Sequence, residues 1–244
     1  MSRLFLKYYF FNDEQNEWQH YKPGKHNGYT SLKIPDSLVE TIKKRPATRG
    51  LSQSPEEAYL LYSSVRDTAA LEGALAEVGV NQGGSAIIIC QAKGNTPLFL
   101  CDTFEGMPNE RVDTSIDHWR TDIRTHTLTS FDSVQKYVGD YPNVHLIKGV
   151  FPDSIAQHPE FDLPNQRFKL VHLDVDLYRC TLDCLEWFWP RLVSGGRIIS
   201  HNYNLTGGHG GNTPGVKKAF EEYFSENRHH IVEVAETQCL VIKP

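Results

Sequence analysis

The chain has 244 residues, 39% of them hydrophobic and 23% charged, with a formal net charge of −5. That length suits one substantial α/β domain and is short for two. The acidic balance, with no cluster of Lys and Arg, excludes nucleic acid as the main partner, because phosphate binding needs a basic face.

The first fifty residues differ from the rest. They are rich in aromatic side chains (Tyr8, Tyr9, Phe10, Phe11, Trp18, Tyr21), with turn signals at Pro23-Gly24 and Asn27-Gly28. Ile34-Pro35-Asp36 then starts a short helix that ends before Pro46. Residues 1–50 therefore read as an arm or lid on a main domain, 51–244. Their apolar surface suits a subunit contact, so a homo-oligomer is expected. The N-terminal apolar run is broken by Lys7 and has no small-residue cleavage site, so no secretion signal is expected. No stretch approaches the length of a membrane span. The five cysteines are odd in number and sit in apolar contexts, which fits reduced, buried thiols in a cytoplasmic protein. Cys180 and Cys184 lie four apart on a predicted helix; without a second pair at ligand spacing they read as packing residues.

From Ser54 the pattern becomes regular. Ser54-Pro55-Glu56-Glu57 reads as a helix start, with Pro in the first turn and acids at the positive end of the dipole. Strands are then predicted at 74–80, 97–102, 144–148, 168–174 and 197–201, alternating with helices near 83–92, 131–138, 178–192 and 214–225. Such alternation indicates a mostly parallel sheet covered on both faces. The last two strands, 231–235 and 239–242, are joined by only three residues and must pair as an antiparallel hairpin. A seven-stranded, Rossmann-like α/β sheet ending in this hairpin resembles the class I methyltransferase core.

The first strand runs through Glu77-Val78-Gly79-Val80-Asn81-Gln82-Gly83-Gly84-Ser85 into a helix. Glycines there let the backbone turn sharply and approach a ligand, and the helix N-terminus presents free N–H groups to an anion. The G-x-G start of the dinucleotide fingerprint is missing. A methionine carboxylate fits the turn instead, with Ser85 as a hydroxyl contact. The next strand ends in Asp102, 25 residues after Glu77, close to the offset at which an acid meets ribose hydroxyls. Asp102-Thr103-Phe104-Glu105-Gly106-Met107-Pro108 follows as an irregular loop at the carboxyl edge, where open α/β sheets bind ligands. Glu77, Gly79, Gly83, Ser85, Asp102, Thr103, Phe104 and Asp174 are the candidate cofactor residues.

The strand before Asp174-Val175-Asp176-Leu177-Tyr178 delivers two acids to the same edge. Acids so placed are costly unless solvated, paired or bound to a cation, and they suit a hard metal or proton abstraction. Asp176 also reads as a cap for the following helix, and His172 as a packing histidine. The neighbouring strand ends in His201-Asn202-Tyr203, so Asp174 and His201 should converge. The glycine-rich run after Asn204 reads as a mobile loop bordering the substrate.

These residues resemble the macrocin O-methyltransferase family. The matching segments are Glu77 to Ser85, Asp102 to Pro108, Lys148-Gly149-Val150-Phe151-Pro152-Asp153-Ser154, His172 to Tyr178, and Pro190 to Gly196. The resemblance implies S-adenosylmethionine as methyl donor, a small-molecule hydroxyl acceptor on a sugar or natural product, and a divalent metal, usually Mg2+. It makes Asp174 an active-site aspartate. The family's other metal acids form a pair directly before a tyrosine, and this chain carries His201-Asn202 there. Three outcomes follow. A softer metal sits on Asp174, His201 and Asn202; the metal is lost and His201 acts as general base; or methyl transfer is lost. A nicotinamide-dependent oxidoreductase and a binding protein or enzyme using S-adenosylmethionine for other chemistry are the competing classes.

Overall fold

The computed structural model describes residues 9–12, 17–20, 38, 53–117, 129–204, 213–235 and 237–244. In the arm, β1 (Tyr9–Asn12) and β2 (Glu17–His20) pair antiparallel, strands that the aromatic composition did not signal. The helix expected after Ile34 lies outside the described residues apart from Leu38, which is buried. The arm-to-domain boundary near residue 50 also lies outside them.

Ser54 opens α1 (Pro55–Asp67) with a capping box. The Glu57 N–H donates to Ser54 Oγ at 3.3 Å, and the Ser54 N–H donates to Glu57 Oε2 at 2.8 Å. The main sheet consists of β3 (Ala74–Val78), β4 (Leu98–Asp102), β5 (Val144–Lys148), β6 (Phe168–Leu173), β7 (Leu192–Ser200), β8 (Val232–Val234) and β9 (Gln238–Ile242). Its order is β5-β4-β3-β6-β7-β9-β8, with β3 to β7 parallel and β9 antiparallel to both β7 and β8. The terminal hairpin and seven-stranded, Rossmann-like sheet are as the sequence predicts.

Period-two alternation sorts the strand side chains onto two faces. Leu75, Leu98, Leu100, Leu170, Ile199 and Leu240 pack with α1, α2 (Gly84–Ala92) and α3 (Phe131–Val138). Ala76, Phe99, Val171, Ile198 and Val241 pack with α4 (Tyr178–Phe188) and α5 (Pro214–Phe224). All five cysteines are buried free thiols, Cys180 and Cys184 among them in α4. Burial pushes the Cys180 thiol up to about 12, so it packs as an inert apolar group. Among the described residues no helix is long and apolar enough to cross a membrane.

The largest differences from the predicted boundaries lie between α4 and β7. The α4 helix stops at Phe188 instead of running to Leu192, and β7 begins at Leu192 instead of Arg197. Trp189-Pro190-Arg191 forms a 3-10 turn, since proline has no N–H to extend the helical ladder. The early part of β7 is hidden from periodicity by a bulge. Leu192 faces Phe168, but Leu170 already faces Arg197, and the extra residues on β7 include Gly195 and Gly196.

Candidate active site

Parallel strands bring four loop starts to one edge of the sheet. Beyond β3, Gly79 adopts φ +87, and a Cβ there would lie 2.0 Å from the backbone oxygen of Asp174. The glycine turn and the Asp174 segment are thus in backbone contact. Gly79→Ala combines a left-handed backbone with this overlap and is expected to cost at least about 2 kcal/mol. A thermal melt should fall by about 4–8 °C or more in a domain of this size; an unchanged melting temperature refutes the contact. Gly83 also sits in the left-handed region, at φ +89, as the N-cap of α2, and no side chain caps that helix. Its first N–H groups are left to face the edge.

Glu77 is wholly buried on β3, opposite its register partner His172 on β6. Glu77 Oε1 accepts from Ser85 Oγ and from His172 Nδ1 at 2.8 Å, and His172 Nε2 lies 3.0 Å from Gln53 Nε2. His172 is therefore a member of a polar network rather than a packing residue alone. Ser85 spends its hydroxyl proton on Glu77, which leaves its backbone N–H for an anion. Glu77 Oε2 is buried with no hydrogen-bond partner. Burial raises the Glu77 carboxyl above its ordinary range, despite the lowering effect of His172 and Ser85. An orphaned carboxylate oxygen beneath uncapped N–H groups fits a zwitterionic amino-acid moiety, with the cation toward Glu77 and the anion toward α2.

Asp102, at the end of β4, ties the adjoining loops together. Its Oδ2 accepts from the N–H groups of Val80 (2.7 Å) and Asn81 (2.9 Å), and its Oδ1 from Phe104 N–H at 2.7 Å. Thr103 Oγ1 donates to the Gly106 carbonyl and accepts from Glu105 N–H, which closes the loop on itself. Phe104 is buried at φ +54 with its ring edge-on to Phe131. Asp102 and Thr103 thus shape the pocket wall, while the Phe104 ring belongs to the core.

Leu173 and Ser200 are the last register pair of β6 and β7, so Asp174 and His201 emerge side by side. His201 Nδ1 lies 3.1 Å from Asp174 Oδ1. Its Nε2 faces a second carboxylate, Glu57 Oε2, at 3.5 Å. The three side chains are 18% (Asp174), 8% (His201) and 3% (Glu57) exposed, so Asp174 is the most exposed of the three. Glu57 is held in turn by Thr237, whose N–H and hydroxyl donate to Oε1 at 3.0 and 2.6 Å.

Charges follow from this arrangement. Burial alone would favour a neutral ring at His201, but the charge and hydrogen bond of Asp174, then of Glu57, hold its pKa well above the ordinary 6.5. Burial would also raise both carboxyls; the His201 charge and hydrogen bonds outweigh it. They leave Asp174 below its usual range and bring Glu57 down to about 2. At neutral pH the trio is an imidazolium between two carboxylates. A protonated ring has no lone pair to accept a proton, which counts against the expected role of His201 as general base.

Asn202, at φ +61, donates its amide to Asp176 Oδ1, and Asp176 is itself at φ +59. Asp176 does not cap α4 as its position suggested: the N-cap is Leu177, without a side-chain bond. The acceptor is Asp117, buried in a separate loop, whose Oδ1 takes the Tyr178 N–H at 3.2 Å. Burial raises the Asp117 carboxyl. Glu57, Gln53 and Asp117 were absent from the expected site. Glu57 carries the capping-box spacing, but no local signal shows that its side chain also crosses to β7. The expected substrate loop, 205–212, lies outside the described residues.

Comparison with known proteins places this geometry. The Macrocin-O-methyltransferase (TylF) family profile matches residues 61–233. A Streptomyces olivaceus protein, 8-demethyl-8-(2,3-dimethoxy-alpha-L-rhamnosyl)-tetracenomycin-C 4'-O-methyltransferase, is 30% identical, with 54% of this chain and 54% of the relative covered. Mycinamicin III 3''-O-methyltransferase of Micromonospora griseorubida is 25% identical over 75% of this chain and 70% of its own. The chain thus spans about half the length of the first relative. Among solved structures, the O-methyltransferase NovP superposes with a TM-score of 0.65 at 18% identity, covering 85% of this chain and 97% of NovP, a likeness of fold. By the extent of the family match, the chain belongs to the macrocin O-methyltransferase family.

Proposed function

We propose that the protein is a cytoplasmic S-adenosylmethionine-dependent O-methyltransferase acting on a sugar hydroxyl of a natural product. The observation that carries this reading is the contact between the Gly79 turn and Asp174, which sets the glycine turn directly against the most exposed acid of the trio. The two relatives that methylate a rhamnosyl 4' and a mycinamicin 3'' position supply the acceptor class.

The cofactor, when bound, supplies an electrophilic methyl group on a sulfonium. Glu77 and the N–H groups at the start of α2 would hold its amino-acid end, and Asp102 with Thr103 would border its ribose. Asp174 accepts the hydrogen bond of the acceptor hydroxyl and takes its proton as the oxygen attacks, a step worth a general base's contribution. His201 orients Asp174 and keeps it ionised; it does not take the proton itself. The proton would leave by exchange with solvent at this partly exposed carboxylate.

Calorimetric titration with S-adenosylmethionine and with NAD, separately, tests the class. Saturable binding of the first alone is expected. Glu77→Gln should weaken it by about 1.5–3 kcal/mol, the range for a hydrogen bond to a charged group. Incubation with rhamnosylated aglycones should then add one methyl group by mass. Binding of NAD, or no binding of S-adenosylmethionine, overturns the reading.

A further inference from the structure

We infer that this chain works without a divalent metal, both ring nitrogens of His201 being turned onto the carboxylates of Asp174 and Glu57. The inference rests on the proposed methyl transfer for its catalytic meaning, though not for its metal chemistry. The family implies a metal at this edge, and the residues present do not fit one.

A metal needs lone pairs, and both ring nitrogens of His201 are turned onto carboxylates. His201 directs one nitrogen at Asp174 Oδ1, 3.1 Å away, and the other at Glu57 Oε2, 3.5 Å away. A neutral imidazole carries a single N–H, so facing two carboxylates with it would set a nitrogen lone pair against a negative oxygen. Two N–H groups remove that clash and leave neither nitrogen able to bind a metal. Asn202 donates its amide N–H to Asp176 Oδ1, which leaves its own Oδ1 as a neutral oxygen donor. Asp174, the most exposed of the trio, is one anionic oxygen donor there, whereas Mg2+ and Mn2+ favour several oxygens in octahedral array. Among the described residues no group of three or more His, Cys, Asp and Glu is placed to hold an ion.

The arrangement keeps the electrostatic plan of a metal site while changing its cation. Two carboxylates flank a positive centre, but that centre is covalently part of β7's exit and cannot be removed by a chelator. Glu57 is what makes the exchange possible. Without it, the ring would have one anionic partner and a free nitrogen available to a softer metal. It is held at the ring by the Ser54 cap of its helix and by Thr237, just before β9, which holds its other oxygen.

The test is a Mn2+ titration of the EDTA-treated full chain followed by electron paramagnetic resonance, with S-adenosylhomocysteine present. No saturable binding is expected at millimolar Mn2+. His201→Asp, which places a third carboxylate beside Asp174 and Glu57, is expected to bind Mn2+ at least about tenfold more tightly than the unaltered chain, since oxygen ligands suit that ion. Saturable Mn2+ binding by the unaltered chain overturns the inference, as does equal affinity in a folded His201→Asp protein. If that variant does not fold, the titration of the unaltered chain decides alone. Methyl transfer that collapses in EDTA and returns with Mg2+ also overturns it. A chain that binds no Mn2+ and methylates no acceptor refutes the proposed function and leaves the metal inference standing.

Discussion

Asp174→Asn is expected to lower kcat by about 10²–10⁴-fold, the contribution usual for a positioned general base, with little change in S-adenosylmethionine affinity. Asp174 is the most exposed member of its trio, and its carboxylate stays ionised beside His201. An amide of the same shape keeps a hydrogen-bond acceptor toward the acceptor hydroxyl but cannot take its proton. Glu57→Gln, by contrast, acts through the ring. It should lower kcat by about tenfold while leaving the acceptor KM unchanged, because Glu57 touches no substrate and only sets how His201 presents Asp174. The two variants together separate the roles. Equal kcat in Asp174→Asn and the unaltered enzyme would remove Asp174 from the chemistry.

The largest stability effect is expected at His201. His201→Ala leaves Glu57, 3% exposed, and Asp174 without the cation between them. Removing one partner of a buried charged pair typically costs about 3–5 kcal/mol. Glu57 retains the Ser54 and Thr237 donors, which places this case toward the lower figure. A drop of about 6–12 °C in melting temperature follows for a chain of this length. The pH dependence is specific. Glu57, displaced from 4.5 to about 2, contributes stability that is present above pH 4.5 and is lost as pH falls toward 2. His201, raised above 6.5, contributes stability that is fully present below pH 6.5 and is lost as pH climbs through its higher folded value. The advantage of the unaltered chain over His201→Ala should therefore peak between pH 4.5 and 6.5. Denaturant melts at several pH values check this, and an advantage that grows steadily into alkaline pH would refute the imidazolium.

How much of the molecule was legible in the sequence depends on the range of the interaction. Strand and helix identity came from local periodicity, and the three-residue link before β9 left only a hairpin. The most misplaced strand boundary, Leu192 against Arg197, fell where a bulge with Gly195 and Gly196 interrupts the alternation on which the reading depends. The glycine turn, Asp102 and Asp174 were legible because strand ends in a parallel sheet share one edge whatever the rest of the chain does.

The sequence by itself determined the fold, the ligand edge and the altered pair His201-Asn202. The tertiary structure decided what those residues do. Side-chain partners across the sheet carry no local signature: Glu57 looks like one acid of a helix start, His172 like a core residue, and Asp176 like a cap. Protonation in a buried site depends on which charges lie within a few ångströms, and those charges come from α1 and from the ends of β6 and β7, with Glu57 over a hundred residues from the other two. For that reason a histidine with three open readings in the sequence lies between two acids that hold its pKa well above the ordinary range.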